Sequence, residues 1–190
     1  MKRRIVFMLS SVVAVTLVLC SQEYRAAWES IDKRPIPSWF QDAKFGIFIH
    51  WGVYSVPAWR KVTEGRYASY AEWYYARVMF DEKGGGQEFH TRNFGEDFGY
   101  RDFGPLFRAE LFDPDYWAEL FARSGARYVV LTAKHHDGFC LWPTKSHYKK
   151  NWNSMDVGPK RDLVGDLTRA VRAKGLRMGL YYSIIEWESN

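Results

Sequence analysis

The chain has 190 residues, 47% of them hydrophobic and 26% charged, with a formal net charge of +5. That length suffices for one domain with a real core, since chains of this size bury roughly 70% of their unfolded surface. Lys2, Arg3 and Arg4 supply three of the five charge units and leave the rest near +2, a balance that implies no nucleic-acid partner.

Met1-Lys-Arg-Arg4 precedes sixteen uncharged residues, Ile5 to Cys20, and then polar Ser21-Gln-Glu-Tyr-Arg25. A charged start, an apolar middle and a polar exit predict a secretory signal peptide over residues 1–21. A membrane span is the rival, but spans usually take ~20 apolar residues. Leu17-Val-Leu-Cys20 offers a third reading, a lipoprotein box with Cys20 acylated, which the bulk of Leu19 disfavours. The expected location is therefore secreted, periplasmic or lysosomal, with no membrane span and with lipid attachment at Cys20 as the variant. Removing the signal leaves Cys140 without an internal disulfide partner, so stability is expected from packing.

Residues 23–38 are polar and carry Pro35 and Pro37, which predicts an extended lead-in. Phe45 to His50 reads as a first strand. Gly52 to Tyr100 is long and aromatic, which predicts a functional loop layer rather than filler. Asp113 then caps a predicted helix, with Pro114 in its first turn and Gly125 near its end, and a second strand starts at Tyr128. The plan repeats: Asp162 caps Leu163 to Lys174, Gly175 stops it, and Leu176 to Ser183 forms a third strand. Helix, glycine and strand, twice over, predict parallel βα units. The fold class is α/β, an incomplete (β/α)₈ TIM-like barrel holding about its first three units, because a whole barrel takes ~250 residues. A doubly wound sheet is the rival, but the first strand-to-helix turn lacks G-x-G-x-x-G.

Two apolar runs stop at histidine, Phe45-Gly-Ile-Phe-Ile-His50 and Tyr128-Val-Val-Leu-Thr-Ala-Lys-His135-His136. Ligands of such folds sit beyond the carboxyl ends of the strands, so His50, His135 and His136 predict a pocket. A regular strand would point His135 and His136 to opposite faces, so both reach one pocket only if the strand end twists. A metal site on His50, His135, His136 and Asp137 is the alternative, without diagnostic spacing. Glu72 and Trp73 pair a carboxylate for a sugar hydroxyl with a flat ring for an apolar sugar face, or form a surface pair. Trp51 and Trp59 are core or platform, and Tyr181 and Tyr182 divide between core and pocket. Glycoside hydrolysis usually needs two carboxylates. Asp137 and Glu186 are available, but Asp137 suits a turn cap at Gly138, and Asp162 suits a helix cap paired with Arg161.

The motifs Ala43-Lys-Phe-Gly-Ile-Phe-Ile-His-Trp-Gly52, Ala71-Glu-Trp-Tyr74, Tyr128 to Phe139, Trp152-Asn-Ser154, Asp156 to Gly165 and Gly179-Leu-Tyr-Tyr-Ser183 resemble the α-L-fucosidases of glycoside hydrolase family 29. The resemblance runs from about Trp39 to Trp187. It implies a (β/α)₈-like catalytic domain followed by a small β-sandwich, and retaining, exo-acting hydrolysis of terminal α-L-fucose from glycans and glycoconjugates, with no metal cofactor. It also implies that His50, Glu72, Trp73, His135, His136 and Tyr181 bind fucose. The nucleophilic aspartate and the acid/base are then expected beyond Asn190, so residues 22–190 alone are expected to be inactive. A non-catalytic fucose-binding protein and a histidine-based metal hydrolase are the alternatives.

Overall fold

A computed structural model describes residues 24–61, 70–80 and 85–187. The expected signal peptide, with Cys20, lies outside the described residues. The chain divides into two compact units, Met1–Pro37 and Ser38–Asn190. In the first, the lead-in expected to be extended carries a short helix α1, Trp28–Ile31, then a turn and an irregular stretch over residues 34–37. Prolines govern this division: the stretch before Pro35 is free of them and closes one helical turn.

The second unit opens with helix α2, Ser38–Ala43, and holds three strands, β1 Gly46–Ile49, β2 Tyr128–Lys134 and β3 Arg177–Tyr182. They are parallel, lie in the order β1-β2-β3, and start level, since Tyr128 is in register with both Gly46 and Arg177. β1 and β3 are each one residue shorter at both ends than the stretches predicted for them, as strand ends commonly are. Among the described residues no helix is long and apolar enough to cross a membrane.

Helix α3, Tyr74–Met79, and helix α4, Gly86–Phe94, lie in the connection after β1; helix α5, Pro114–Arg123, precedes β2 and helix α6, Leu163–Ala173, precedes β3. The predicted caps form: Asp113 Oδ1 accepts from the amides of Asp115 and Tyr116 at 3.1 and 3.0 Å, and Asp162 Oδ1 from that of Gly165 at 2.8 Å. Each such cap satisfies otherwise orphaned amides and contributes about 1 kcal/mol. The expected Arg161–Asp162 pair gives way to Arg161–Asp166, at 2.9 Å from Nε, because the Asp162 carboxylate is turned to its own helix.

Leu163, Leu167 and Val171 of α6 share one core with Ala118 of α5 and Val129 and Leu131 of β2, all fully buried. Burying an aliphatic side chain of this size contributes roughly 1.5–3 kcal/mol, so this contact seats the helices on the central strand. The edge strands fare differently: Phe48 and Leu180 are each 53% exposed, on a sheet type that is ordinarily covered on both faces.

The connection after β1 is more helical than expected and is packed through its rings. Trp59 stacks on Phe89 of α4 at 4.0 Å, and Trp51 packs among Phe107, Phe112 and Trp117 at 5.1–5.2 Å, so both tryptophans are core contacts. Cys140 is buried beside Gly138, and burial pushes its thiol up to about 12, which leaves it protonated and inert.

Candidate active site

The site begins with an irregularity in β2. Its register against β3 slips between Thr132, paired with Tyr181, and Lys134, paired with Tyr182. This is the twist that adjacent histidines require, and His135 and His136 both reach one cleft beyond the strand ends. The cleft is about 470 Å³ and is lined by His50, Tyr70, Glu72, Trp73, His135, His136 and Tyr181. All six residues expected to bind sugar are thus brought together from three strand ends and one loop. Ring centroids lie 5.7 Å apart for His50 and His135, 4.9 Å for His135 and His136, and 6.2 Å for His135 and Tyr181.

Glu72 and Trp73 are delivered by the tight turn Ala71–Trp73, which runs directly into α3. Helix α3 is pinned by Tyr74, fully buried, whose hydroxyl lies 2.9 Å from His90 Nδ1, while His90 Nε2 lies 2.6 Å from the Phe98 carbonyl. A carbonyl only accepts, so in the neutral ring Nε2 carries the hydrogen and Nδ1 accepts from Tyr74. Burial raises the Tyr74 hydroxyl far above its usual range, which keeps it a donor.

His135 is 5% exposed, and its Nδ1 is buried without a hydrogen-bond partner. Burial first, then the charges of His136, His50 and Lys134, lower its pKa to about 3, so the ring stays neutral in mildly acidic solution. His136 Nδ1 donates to the Ile185 carbonyl at 2.7 Å, which leaves Nε2 of the neutral ring as an acceptor. Among the described residues the cleft therefore offers three imidazoles, that of His135 neutral, to exchange hydrogen bonds with hydroxyls, one carboxylate, Glu72, and the flat rings of Trp73 and Tyr181.

Asp137 is not part of this surface. Its Oδ2 accepts from the Tyr100 hydroxyl at 2.7 Å, its Oδ1 from the Phe139 amide at 3.3 Å, and its carbonyl from Trp152 Nε1 at 2.9 Å. The metal reading loses its carboxylate to this turn, and among the described residues no group of three or more His, Cys, Asp or Glu is placed to hold a metal ion. Glu186 is taken by Lys134 and Lys149 and lines a separate cleft. Tyr182 lies on the far side of the sheet with its ring 4.3 Å from Lys134 Nζ.

A family model described as Alpha-L-fucosidase matches residues 11–190. The chain belongs to the α-L-fucosidase family. It is 47% identical over 171 residues to the tissue α-L-fucosidase of Mus musculus, covering 90% of this chain and 35% of that protein. Against the α-L-fucosidase of Dictyostelium discoideum it is 44% identical over 189 residues, covering 98% and 39%. The α-fucosidase of Thermotoga maritima, solved in complex with fucose, superposes with a TM-score of 0.78 at 50% identity, over 87% of this chain and 39% of that one. The chain thus spans little more than a third of the length of these fucosidases.

One cleft residue and one ring packed behind the cleft went unseen in the fucosidase sequence. Tyr70 lines the cleft beside Glu72, and only its nearness to the Glu72-Trp73 pair could have flagged it. Trp187 packs against Trp73, His135 and His136 at 5.5, 5.9 and 5.1 Å, and its signal was an aromatic residue within a few positions of a strand end.

Proposed function

We propose that the cleft is the fucose-binding part of an exo-acting, retaining α-L-fucosidase that releases terminal α-L-fucose from glycans and glycoconjugates. The observation that carries this reading is the convergence of His50, Glu72, Trp73, His135, His136 and Tyr181 on one cleft of about 470 Å³. Fucose presents several hydroxyls and one methyl group, and this lining answers both. The histidines and Glu72 bond the hydroxyls, while Trp73 and Tyr181 cover the apolar parts of the ring. Because the Nε2 of a neutral His136 accepts, it takes a sugar O–H; the neutral His135 both donates and accepts.

Retaining hydrolysis also needs two carboxyl groups about 5–5.5 Å apart across the bond being cut. Glu72 is the one carboxylate among the described residues of the cleft. In this reading the nucleophile and acid/base come from sequence following Asn190 in a longer product, whose further βα units complete a (β/α)₈ barrel and cover Phe48 and Leu180. Residues 22–190 alone then bind fucose without cutting, residues 1–21 direct export, and no metal takes part.

The test is the intact mass of the natural product together with release of fucose from an aryl α-L-fucoside by the same fraction. A longer active product, whose activity falls at least tenfold in His136→Ala, supports the reading. A longer product without fucosidase activity overturns it. A product of this length that binds fucose without hydrolysis would replace it with the binding-protein alternative.

A further inference from the structure

Outside the cleft the least expected group is Lys134, a lysine with a fully buried side chain at the end of the central strand. Buried ammonium groups persist only when paired, and here Glu186 Oε1 lies 2.5 Å from Lys134 Nζ while its other oxygen pairs with Lys149. Burial acts to raise the Glu186 carboxyl, but the two lysines outweigh it and hold the group below the usual carboxylate range. Lys134 Nζ also donates to the Ser183 carbonyl at 2.5 Å, and the Ser183 amide returns a bond to the Lys134 carbonyl at 3.0 Å. Gly138 makes room for this cluster: its φ is +76°, and a methyl there would lie 2.6 Å from Lys149 Nζ and 3.0 Å from Glu186 Oε2.

The residues on either side of Glu186 face the other way, into the histidines. Ile185 supplies the carbonyl that accepts from His136 Nδ1, and the Trp187 amide donates to the His136 carbonyl at 2.9 Å. The Trp187 ring then rests against His135, His136 and Trp73. Anchoring Glu186 therefore fixes both backbone groups that orient His136.

We propose that Glu186, clamped between Lys134 and Lys149, is a positioning residue that sets the tautomer and orientation of His136 and seats Trp187 behind the cleft. It acts through His136 and not on substrate. With the turn in place, His136 carries its hydrogen on Nδ1 and presents Nε2 as an acceptor. With the turn released, both tautomers become accessible and the acceptor is no longer guaranteed. This rests on the fucose reading for its functional consequence, but its structural content is independent of it.

The experiment uses the full-length natural protein, labelled with nitrogen-15, to read the His136 tautomer by NMR without ligand, and L-fucose titration to read affinity. Glu186→Gln removes the counter-charge of Lys134. Lys134→Met with Glu186→Leu removes both charges while filling the space, and decides the matter if the single variant fails to fold. The expected result in a folded variant is a mixture of His136 tautomers and fucose affinity lowered about tenfold, the cost of roughly one hydrogen bond. A folded variant that keeps the hydrogen on Nδ1 and binds fucose within about twofold of wild type overturns the proposal. Failure of the wild type to bind fucose would overturn the functional reading instead, and the tautomer comparison would still decide this one.

Discussion

The helical layer around His90 and the strand end around His136 hold their histidines by the same first bond, a ring N–H given to a backbone carbonyl, at 2.6 Å to Phe98 and 2.7 Å to Ile185. They part at the second nitrogen. In His90 it accepts from Tyr74 and the ring is closed on both sides, whereas the His136 ring lines a cleft. A bond to a backbone carbonyl therefore does not mark a histidine as structural; what the remaining nitrogen faces does.

The sharpest way to break this contrast is His90→Ala. It deletes two buried hydrogen bonds and leaves a cavity, so the unfolding free energy should fall by about 2–4 kcal/mol in urea denaturation. Fucose affinity of the folded protein should change less than in His136→Ala; a larger loss would show that the two histidines are not divided by role. His136→Ala should do the reverse, weakening fucose binding about tenfold in calorimetry while lowering stability by no more than about 1 kcal/mol. Asp113→Ala, at a helix cap remote from both regions, calibrates the scale: about 1 kcal/mol of stability lost and affinity unchanged.

A separate test concerns pH. The pKa of His135 is about 3 in the folded chain against 6.5 ordinarily, so the unfolded chain binds more protons between those values. Its contribution to stability is full above pH 6.5 and is lost as the pH falls toward 3. Replacing His135 with Phe should make stability fall less steeply over that window in a series of denaturation curves. An unaltered slope would mean that the ring is charged in the folded protein.

The βα units were legible because their signals are local: Asp113 and Asp162 sit where caps belong, Gly125 and Gly175 follow the helices, and unbroken apolar runs mark the strands. The six cleft residues were legible from position at strand ends and from family resemblance together. What stayed hidden depends on distant partners. Asp137 looks available until Tyr100, 37 residues away, takes its carboxylate. Glu186 looks like a second carboxylate until two lysines claim it, and α4 begins at a glycine and reads as loop because its hold on the core comes through Phe89 and Phe94 rather than through a regular apolar stripe.

The order of the strands also bears on how the molecule is made. Since β1, β2 and β3 lie side by side in the order in which they are synthesised, each new strand finds its template already complete. The sheet can grow at one edge as the chain emerges, with every register fixed by a strand that precedes it. A strand inserted between two existing neighbours would have to wait for, or displace, a pairing already made; this arrangement never asks for that.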